Sequence, residues 1–460
     1  MAIPHRNAKE EAAGIEGRVL TAQPEYASLG PSARRDIERI VLGNGVRVWT
    51  EHVPQSSSVA IGVWVDWMSP YEVASRSGAA HLIQRVAFHG TSARTGEEIA
   101  HAVESVGGSV SITTGRDHFG YVAEAPSKHL LAALTLVAEL ALRPIPTNSA
   151  IAVEQKKVME EVLAEAADPD TALEALFLSS AWIGAGHCRE PKGRLLRIRD
   201  SLRLQSFARS ALLRLHRESH RPSAIAVTIS GNLDHGKVQQ AVDRIFGSIG
   251  EPPTAPAKVT AVSRRFWATG NRPEFRVVKM MIGAPGCGAA DPERHTAALL
   301  ATVLGGSVGS RLTRLVALNN GVVEAKASQL ILSAHDGIVA TRLTAELGSA
   351  QKALISVVKE LRRLADDSIS VRELKCAREI CSSALNPTFR SVVGRIQDLA
   401  RQERYFSAVV DPVQEQARMK AVTPREIREF AASRLAPHTL SLAAVGDLRG
   451  VGMRPAELRW

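Results

Sequence analysis

Two apolar periodicities alternate along this chain, and the points where one replaces the other mark its elements. The runs Ile37-Glu38-Arg39-Ile40-Val41-Leu42 and Val46-Arg47-Val48-Trp49 flank Gly43-Asn44-Gly45. β-rich segments on either side of an Asn-Gly pair predict a hairpin. Ser58-Val59-Ala60-Ile61-Gly62-Val63-Trp64-Val65 is almost continuously apolar, the pattern of a strand covered on both faces. The period then becomes helical over Gly78 to Val86 and again over Gly96 to Val106, where Gly107-Gly108 stops it. Ser109 to Thr114 resumes as a strand. Leu130, Leu131, Leu134, Leu136, Val137 and Leu140 predict a helix from near Lys128 that breaks at Pro144 and Pro146, and a further helix runs from Ser149 to about Ala166.

The same ending occurs twice. A strand at Ala224-Ile225-Ala226-Val227-Thr228-Ile229 leads to Gly231-Asn232-Leu233-Asp234, and one at Leu440-Ser441-Leu442-Ala443-Ala444-Val445 leads to Gly446-Asp447-Leu448. Between them lies the proline-rich Glu251-Pro252-Pro253-Thr254-Ala255-Pro256. This predicts a flexible arm over 1–35, a first lobe over 36–250, a linker over 251–269 able to act as a hinge, a second lobe over 270–450 and a tail over 451–460. The fold class is α/β of the α+β sandwich type, each lobe a mixed sheet with helices on one face. With 460 residues, the chain is long enough for two cores.

Composition narrows the functional classes. Hydrophobic residues at 45% and charged residues at 23% describe an ordinary globular chain. No apolar run reaches the eighteen or so residues of a membrane helix. The N-terminus has neither the apolar core of a secretory signal nor the acid-free character of a transit peptide. A formal charge of +10 raises nucleic acid as a partner, but the arginines are dispersed and aromatics are only 4%, so stacking platforms are scarce and nucleic acid is excluded. Cys188, Cys287, Cys376 and Cys381 lack paired spacing and read as free thiols in a reducing compartment.

The chemistry concentrates in Ser77-Gly78-Ala79-Ala80-His81-Leu82-Ile83-Gln84-Arg85-Val86-Ala87-Phe88-His89-Gly90-Thr91. This segment resembles the signature of the inverted zinc-binding peptidases of family M16 (pitrilysin and mitochondrial processing peptidase-like), in which a helix carries His-x-x-Glu-His before a Phe-Lys-Gly-Thr turn. There the two histidines, four apart on one helix face, grip zinc, and the glutamate activates the bound water. The resemblance extends through Ser69-Pro70-Tyr71-Glu72, Glu104-Ser105-Val106-Gly107-Gly108 with Tyr121, Glu154 and Glu161, and Leu304-Gly305-Gly306-Ser307-Val308-Gly309-Ser310-Arg311-Leu312. It implies two homologous LuxS/MPP-like lobes forming half of a clam shell, as in processing peptidase subunits and cytochrome bc1 core proteins.

The departures fall on the chemistry. His81 matches the first ligand, and Glu161, 76 residues after Arg85 (161 − 85), matches the third, with Glu154 behind it. Gln84 stands where the general base belongs, and an amide takes no proton from water. Arg85 stands where the second histidine belongs, and a guanidinium has no lone pair for a metal. None of His89, His101 and His118 stands four residues from His81 on the helix, so they are not expected to rescue the site. The resemblance places the family's substrate-holding Arg/Tyr pair at Ala317 and Glu324, its substrate strand at Ser111 and Ile112, and its glycine-rich loop at Gly305, Gly306 and Gly309. Glu161 is expected to be buried, between Val158, Val162 and Glu165, and paired with Arg85.

The expected role is therefore a non-catalytic subunit with no metal of its own, paired with a homologous M16 subunit that carries an intact zinc motif, and binding peptide with it. The alternatives are a structural core subunit of a larger respiratory bc1-like assembly, touching membrane only indirectly, or a homodimeric peptide-binding pseudoenzyme. The Arg- and Ala-rich, Lys-poor usage points towards bacteria and the arm argues against export, so the bacterial cytoplasm is expected, and a mitochondrial location stays open.

Overall fold

The computed structural model describes residues 35–66, 79–115, 118–184, 207–250, 261–263, 265–318, 322–333, 336–385, 391–436, 438–449, 451 and 453–455. The entry segment Ser69 to Glu72, Ser77, Gly78, Cys188 and the proline-rich stretch 251–260 lie outside these residues, as does nearly all of the expected arm and part of the tail.

The first half contributes β1 (Asp36–Val41), β2 (Arg47–His52), β3 (Ser58–Asp66), α1 (Ala79–Val86), α2 (Gly96–Ser105), β4 (Ser109–Thr114), β5 (His118–Pro126), α3 (Leu130–Leu142), α4 (Asn148–Ala167), α5 (Pro169–Ala181), β6 (Trp182–Gly184), α6 (Arg209–Ser219), β7 (Ile225–Gly231) and α7 (His235–Phe246). The second contributes β8 (Ala261–Ser263), β9 (Trp267–Asn271), β10 (Val278–Pro285), α8 (Arg294–Gly305), α9 (Arg311–Ala317), β11 (Val322–Leu332), β12 (Gly337–Ala345), α10 (Ala350–Asp366), α11 (Val371–Leu385), α12 (Val392–Phe406), α13 (Pro412–Ala421), α14 (Pro424–Arg434) and β13 (Ser441–Gly446). The predicted hairpin forms between β1 and β2, with Gly45 at φ 96°, a value that only a residue without Cβ adopts freely.

Six strands form the first sheet in the order β1-β2-β7-β3-β5-β4, and five form the second in the order β11-β12-β10-β13-β9. The two share one plan. An edge hairpin is followed by the central antiparallel strand, then by the strand that ends the lobe, then by a parallel partner, β2 against β7 and β9 against β13. β9 begins at Trp267, so the end of the expected linker is already part of the second sheet. No helix among the described residues is long and apolar enough to cross a membrane.

Each sheet packs most of its helices on one face, as expected, but the opposite face is also covered, by one helix from the other half of the chain. Val392, Ile396 and Ala400 of α12 bury against Ala60, Trp64, Val122 and Ala226 of the first sheet. Leu173, Phe177, Leu178 and Ala181 of α5 bury against Met281, Ile338, Ala340, Ala443 and Val445 of the second. Burial of each large apolar side chain contributes about 1.5–3 kcal/mol. By this exchange each lobe lends the other part of its core.

Polar contacts follow the apolar ones. Glu51, 1% exposed, accepts from Arg35 at 2.7 and 3.0 Å and from Arg395 of α12 at 2.7 Å. Asp398 accepts from Arg35 at 2.7 Å. Glu403 accepts from the Trp49 indole at 2.6 Å and from Arg39 at 2.8 Å. Arg35, the last residue of the expected arm, is thus anchored. On the other side, Asp170 and Glu174 of α5 reach Lys279 at 3.2 Å and Arg342 at 2.6 Å. Removing the carboxylate in Glu51→Ala takes the partner of the buried Arg395 guanidinium and two of the bonds of Arg35, which keeps its contact to Asp398. The expected loss is roughly 3–5 kcal/mol, read from urea unfolding, and a loss under about 1 kcal/mol would show that the network is dispensable.

Beneath the first sheet, the His216 and His220 rings stack with centroids 3.8 Å apart, and His216 Nε2 bonds to the Ala141 carbonyl oxygen at 2.8 Å. Burial, with the nearby Arg217 charge, lowers His216 to about 4. Burial and His216 hold His220 well below the usual range. Unfolded histidine protonates near 6.5, so between about pH 6.5 and 4 the unfolded state binds protons that the folded state refuses. The stability associated with this pair is complete above about pH 6.5 and is lost as pH falls towards 4. The urea midpoint should drop between pH 7 and 5, and His216→Gln should reduce the drop.

Candidate functional site

The site lies between α1 and α4. On α1, Leu82, Ile83 and Val86 turn into the core of the first lobe, which leaves His81 and Arg85, four apart, on the face towards α4. Helix α4 is capped by Thr147, whose hydroxyl accepts from the Ala150 N–H at 3.1 Å. Its buried stripe, Ala150, Ile151, Glu154, Val158 and Val162, steps by three or four residues from Ile151 onward. Glu154 sits inside that stripe with its side chain 5% exposed, whereas the Glu161 side chain, at the rim, is 48% exposed. The expected burial of Glu161 is therefore corrected: Glu154 is the buried carboxylate.

Arg85 lies between them. Its Nε donates to Glu154 Oε2 at 2.8 Å, while its two terminal nitrogens donate to Glu161 at 2.6 and 2.9 Å. One of those nitrogens also lies 3.3 Å from His81 Nε2. Since a guanidinium only donates, His81 accepts there as the neutral ring. Burial first, and the Arg85 charge second, lower the pKa of His81, which agrees with that assignment. Glu154 also accepts from Lys157 at 2.8 Å and lies 2.9 Å from His89 Nε2. Burial alone would raise this carboxyl, but hydrogen bonds from Lys157, His89 and Arg85 outweigh it and hold it at about 2. Although His81, Glu154 and Glu161 all meet Arg85 and His89 reaches Glu154, no group of three or more His, Cys, Asp or Glu side chains among the described residues is arranged to hold a metal ion.

Gln84 is 1% exposed, and its Oε1 accepts from the Thr114 hydroxyl on β4 at 3.0 Å. It ties α1 to the edge of the sheet. The turn after α1 is fixed from behind: Thr91 and Arg94 both donate to the buried Glu139 of α3, and Gly90 adopts φ 156°, which brings His89 up to Glu154. His89, Lys157 and Thr114 were not singled out from the sequence as members of the site. Lys157 is the one that spacing could have revealed, three residues from Glu154 on a helix.

A cleft of about 510 Å³ opens over this cluster, lined by His81, Gln84, Arg85, Phe88, His89, Ile112, Thr114, Glu154 and Lys157. Strand β4 forms one wall and is the outer strand of its sheet. Ile112 faces the cleft, and Ser111 is exposed on the same strand.

The positions proposed in the second half do not line this cleft. Ala317 ends α9. Glu324 on β11, half exposed, accepts from the Thr344 hydroxyl at 3.2 Å and lies 3.7 Å from Lys279 Nζ. Gly305 closes α8 against β11, where a Cβ would come within 2.3 Å of Ser328 Oγ, so this glycine serves close packing. Gly306 caps the helix, and Gly309 stands in open space. His101 is exposed on α2 beside Glu97 and Glu104, and His118 packs near Trp64.

Comparisons with known proteins agree with this architecture. The family model described as Insulinase (Peptidase family M16) matches residues 47–190, and that of the Peptidase M16 inactive domain matches residues 206–381. An uncharacterized zinc protease of Mycobacterium tuberculosis is 28% identical over 446 residues, covering 93% of this chain and 99% of the relative. One of Bacillus subtilis is 25% identical over 370 residues, covering 80% and 88%. Among solved structures, a protease from Helicobacter pylori superposes with a TM-score of 0.80 at 16% identity, over 90% of this chain and all of that one. A chain of Complex III2 from Candida albicans superposes with 0.77 at 17% identity, over 92% of this chain and all of that one. With both lobes matched in order, the chain belongs to the M16 peptidase family.

Proposed function

We propose that this chain is the non-catalytic subunit of a dimeric M16-type metallopeptidase, binding peptide in its cleft and completing the chamber for a partner that carries the zinc. The observation that carries this reading is the state of the motif helix. The amide of Gln84 is turned to Thr114, and the cation of Arg85 stands among the groups that would otherwise face a metal. Zinc needs three protein ligands and an open position for catalysis, and two of the nearby donors, Glu154 and Glu161, are already bonded to Arg85. These residues do not fit the metal, so no hydrolytic step is assigned to this chain.

What remains suits binding. Among the described residues no strand pairs with the outer edge of β4, which runs beside a cleft with apolar walls at Phe88 and Ile112, an arrangement to which an extended peptide can add as a strand. The Mycobacterium and Bacillus relatives are bacterial, which supports a bacterial setting, and the cytoplasm is part of the same proposal. A second reading, a structural subunit of a larger assembly, draws on the likeness in fold to a chain of Complex III2. What co-purifies separates the two: a homologous chain with an intact His-x-x-Glu-His motif, or membrane subunits with redox cofactors.

The purified chain is expected to leave unstructured peptides intact and to gain turnover only with such a partner. Chelator-sensitive cleavage by the chain alone, free of other proteases, would overturn the proposal. Gln84→Ala should cost about 1 kcal/mol for the lost hydrogen bond, plus the void, and should lower the turnover of the mixed dimer only through a higher KM, because Gln84 lines the cleft, with kcat kept. A loss of kcat with the fold intact would show that Gln84 takes part in the chemistry.

A further inference from the structure

We infer that Arg85 is a built-in substitute for the metal, a fixed cation that joins α1 to α4 and thereby excludes zinc from the site. The inference rests on the reading of the chain as non-catalytic and adds what holds the site together in the absence of an ion.

The argument begins with the two carboxylates. Glu154 and Glu161 are seven residues apart on α4, two turns along one side of the helix. Both reach the one guanidinium of Arg85 on the side facing α1, so without that cation two like charges would share the region, with Glu154 shielded from water. A planar guanidinium has N–H groups on separate edges. Arg85 uses this geometry fully: the Nε edge serves Glu154, and the two terminal nitrogens meet both oxygens of Glu161. The contact to His81 Nε2 at 3.3 Å takes up the lone pair that would have gone to a metal. One side chain thus engages the first-ligand histidine and both glutamates.

Two features distinguish this arrangement from an ordinary surface ion pair. Glu154 is almost fully buried, and it keeps its charge through three donors that arrive from α1, from the turn that follows it and from α4 itself. The pairing is also two-pronged, which lysine cannot reproduce, because an ammonium is a point donor on a flexible stem. The Glu161 side is half exposed, so water and salt weaken that half of the contact. The stabilisation is therefore moderate, and the specificity lies in the geometry.

The test compares Arg85→Ala, Arg85→Lys and Arg85→His with the parent, each melted with zinc, with chelator and with neither, alongside elemental analysis. The parent should take up no stoichiometric zinc and melt at the same temperature in all three conditions. Arg85→Ala and Arg85→Lys should melt lower by about 2–4 °C and stay indifferent to zinc. Arg85→His should melt lower without metal and recover when zinc is added, with about one ion bound per chain, since His81, the new imidazole and Glu161 offer three donors. Arg85→Ala melting with the parent, about one zinc per parent chain, or no uptake by Arg85→His would each overturn the inference. Failure of Arg85→Ala to fold leaves the comparison with Arg85→Lys and Arg85→His decisive. Peptide turnover by the parent alone would instead strike at the non-catalytic reading and leave these melts to be judged separately.

Discussion

The guanidinium of Arg85, held between Glu154 and Glu161, sets the terms for the rest of the first lobe's working surface. A carboxylate placed in an apolar helical stripe is unfavourable unless charge and hydrogen bonds reach it. Glu154 sits in such a stripe and is reached by Arg85, His89 and Lys157. Each of these contacts fixes something else. Arg85 fixes the distance between α1 and α4, and His89 fixes the turn whose far side rests on Glu139. With α1 so placed, Gln84 meets Thr114 and the edge strand gains a rigid floor. The cleft is the space these contacts leave.

A second constraint acts at the scale of the whole chain. Each sheet has two apolar faces and needs cover on both. The helices that follow a lobe's own strands cover one face, and α5 and α12 cover the other faces by crossing over. The crossing helices carry charges matched to the sheet they reach. Arg395, Asp398 and Glu403 meet Glu51, Arg35 and Arg39, and Asp170 and Glu174 meet Lys279 and Arg342. Burying such groups gains little net energy, because desolvation offsets attraction. What they add is selectivity: an acid-rich α5 belongs on the sheet that presents Lys279 and Arg342.

Much of this was legible in the sequence because it is local. The Asn-Gly hairpin, the near-continuous apolar run of β3, the Gly107-Gly108 stop and the twin endings at Gly231 and Gly446 each report on neighbouring residues. The meeting of Arg85 with Glu161 was legible only through the family resemblance, which supplied a spatial relation that spacing alone does not contain. Two things escaped. The phase of the stripe on α4 was read one step off, because Val158 and Val162 are compatible with burial on either side, and the choice of Glu154 over Glu161 depends on where α1 docks. The crossing of α5 and α12 was invisible for a different reason. A helix's periodicity says that it has an apolar face, but not which sheet will cover it.

That crossing also bears on how the chain reaches its folded state during synthesis. Ala226, on the last strand of the first sheet, is made 166 residues before Val392 (392 − 226), which corresponds to on the order of 10–30 s of translation. Over that interval the face formed by Ala60, Trp64, Val122 and Ala226 has no α12 to cover it, while α5 waits for strands not yet made. A nascent chain halted between Ala226 and Val392 therefore has the strands of this face but not the helix that covers it. The sequence position of α12 sets the length of that interval, and a slower ribosome lengthens it in proportion.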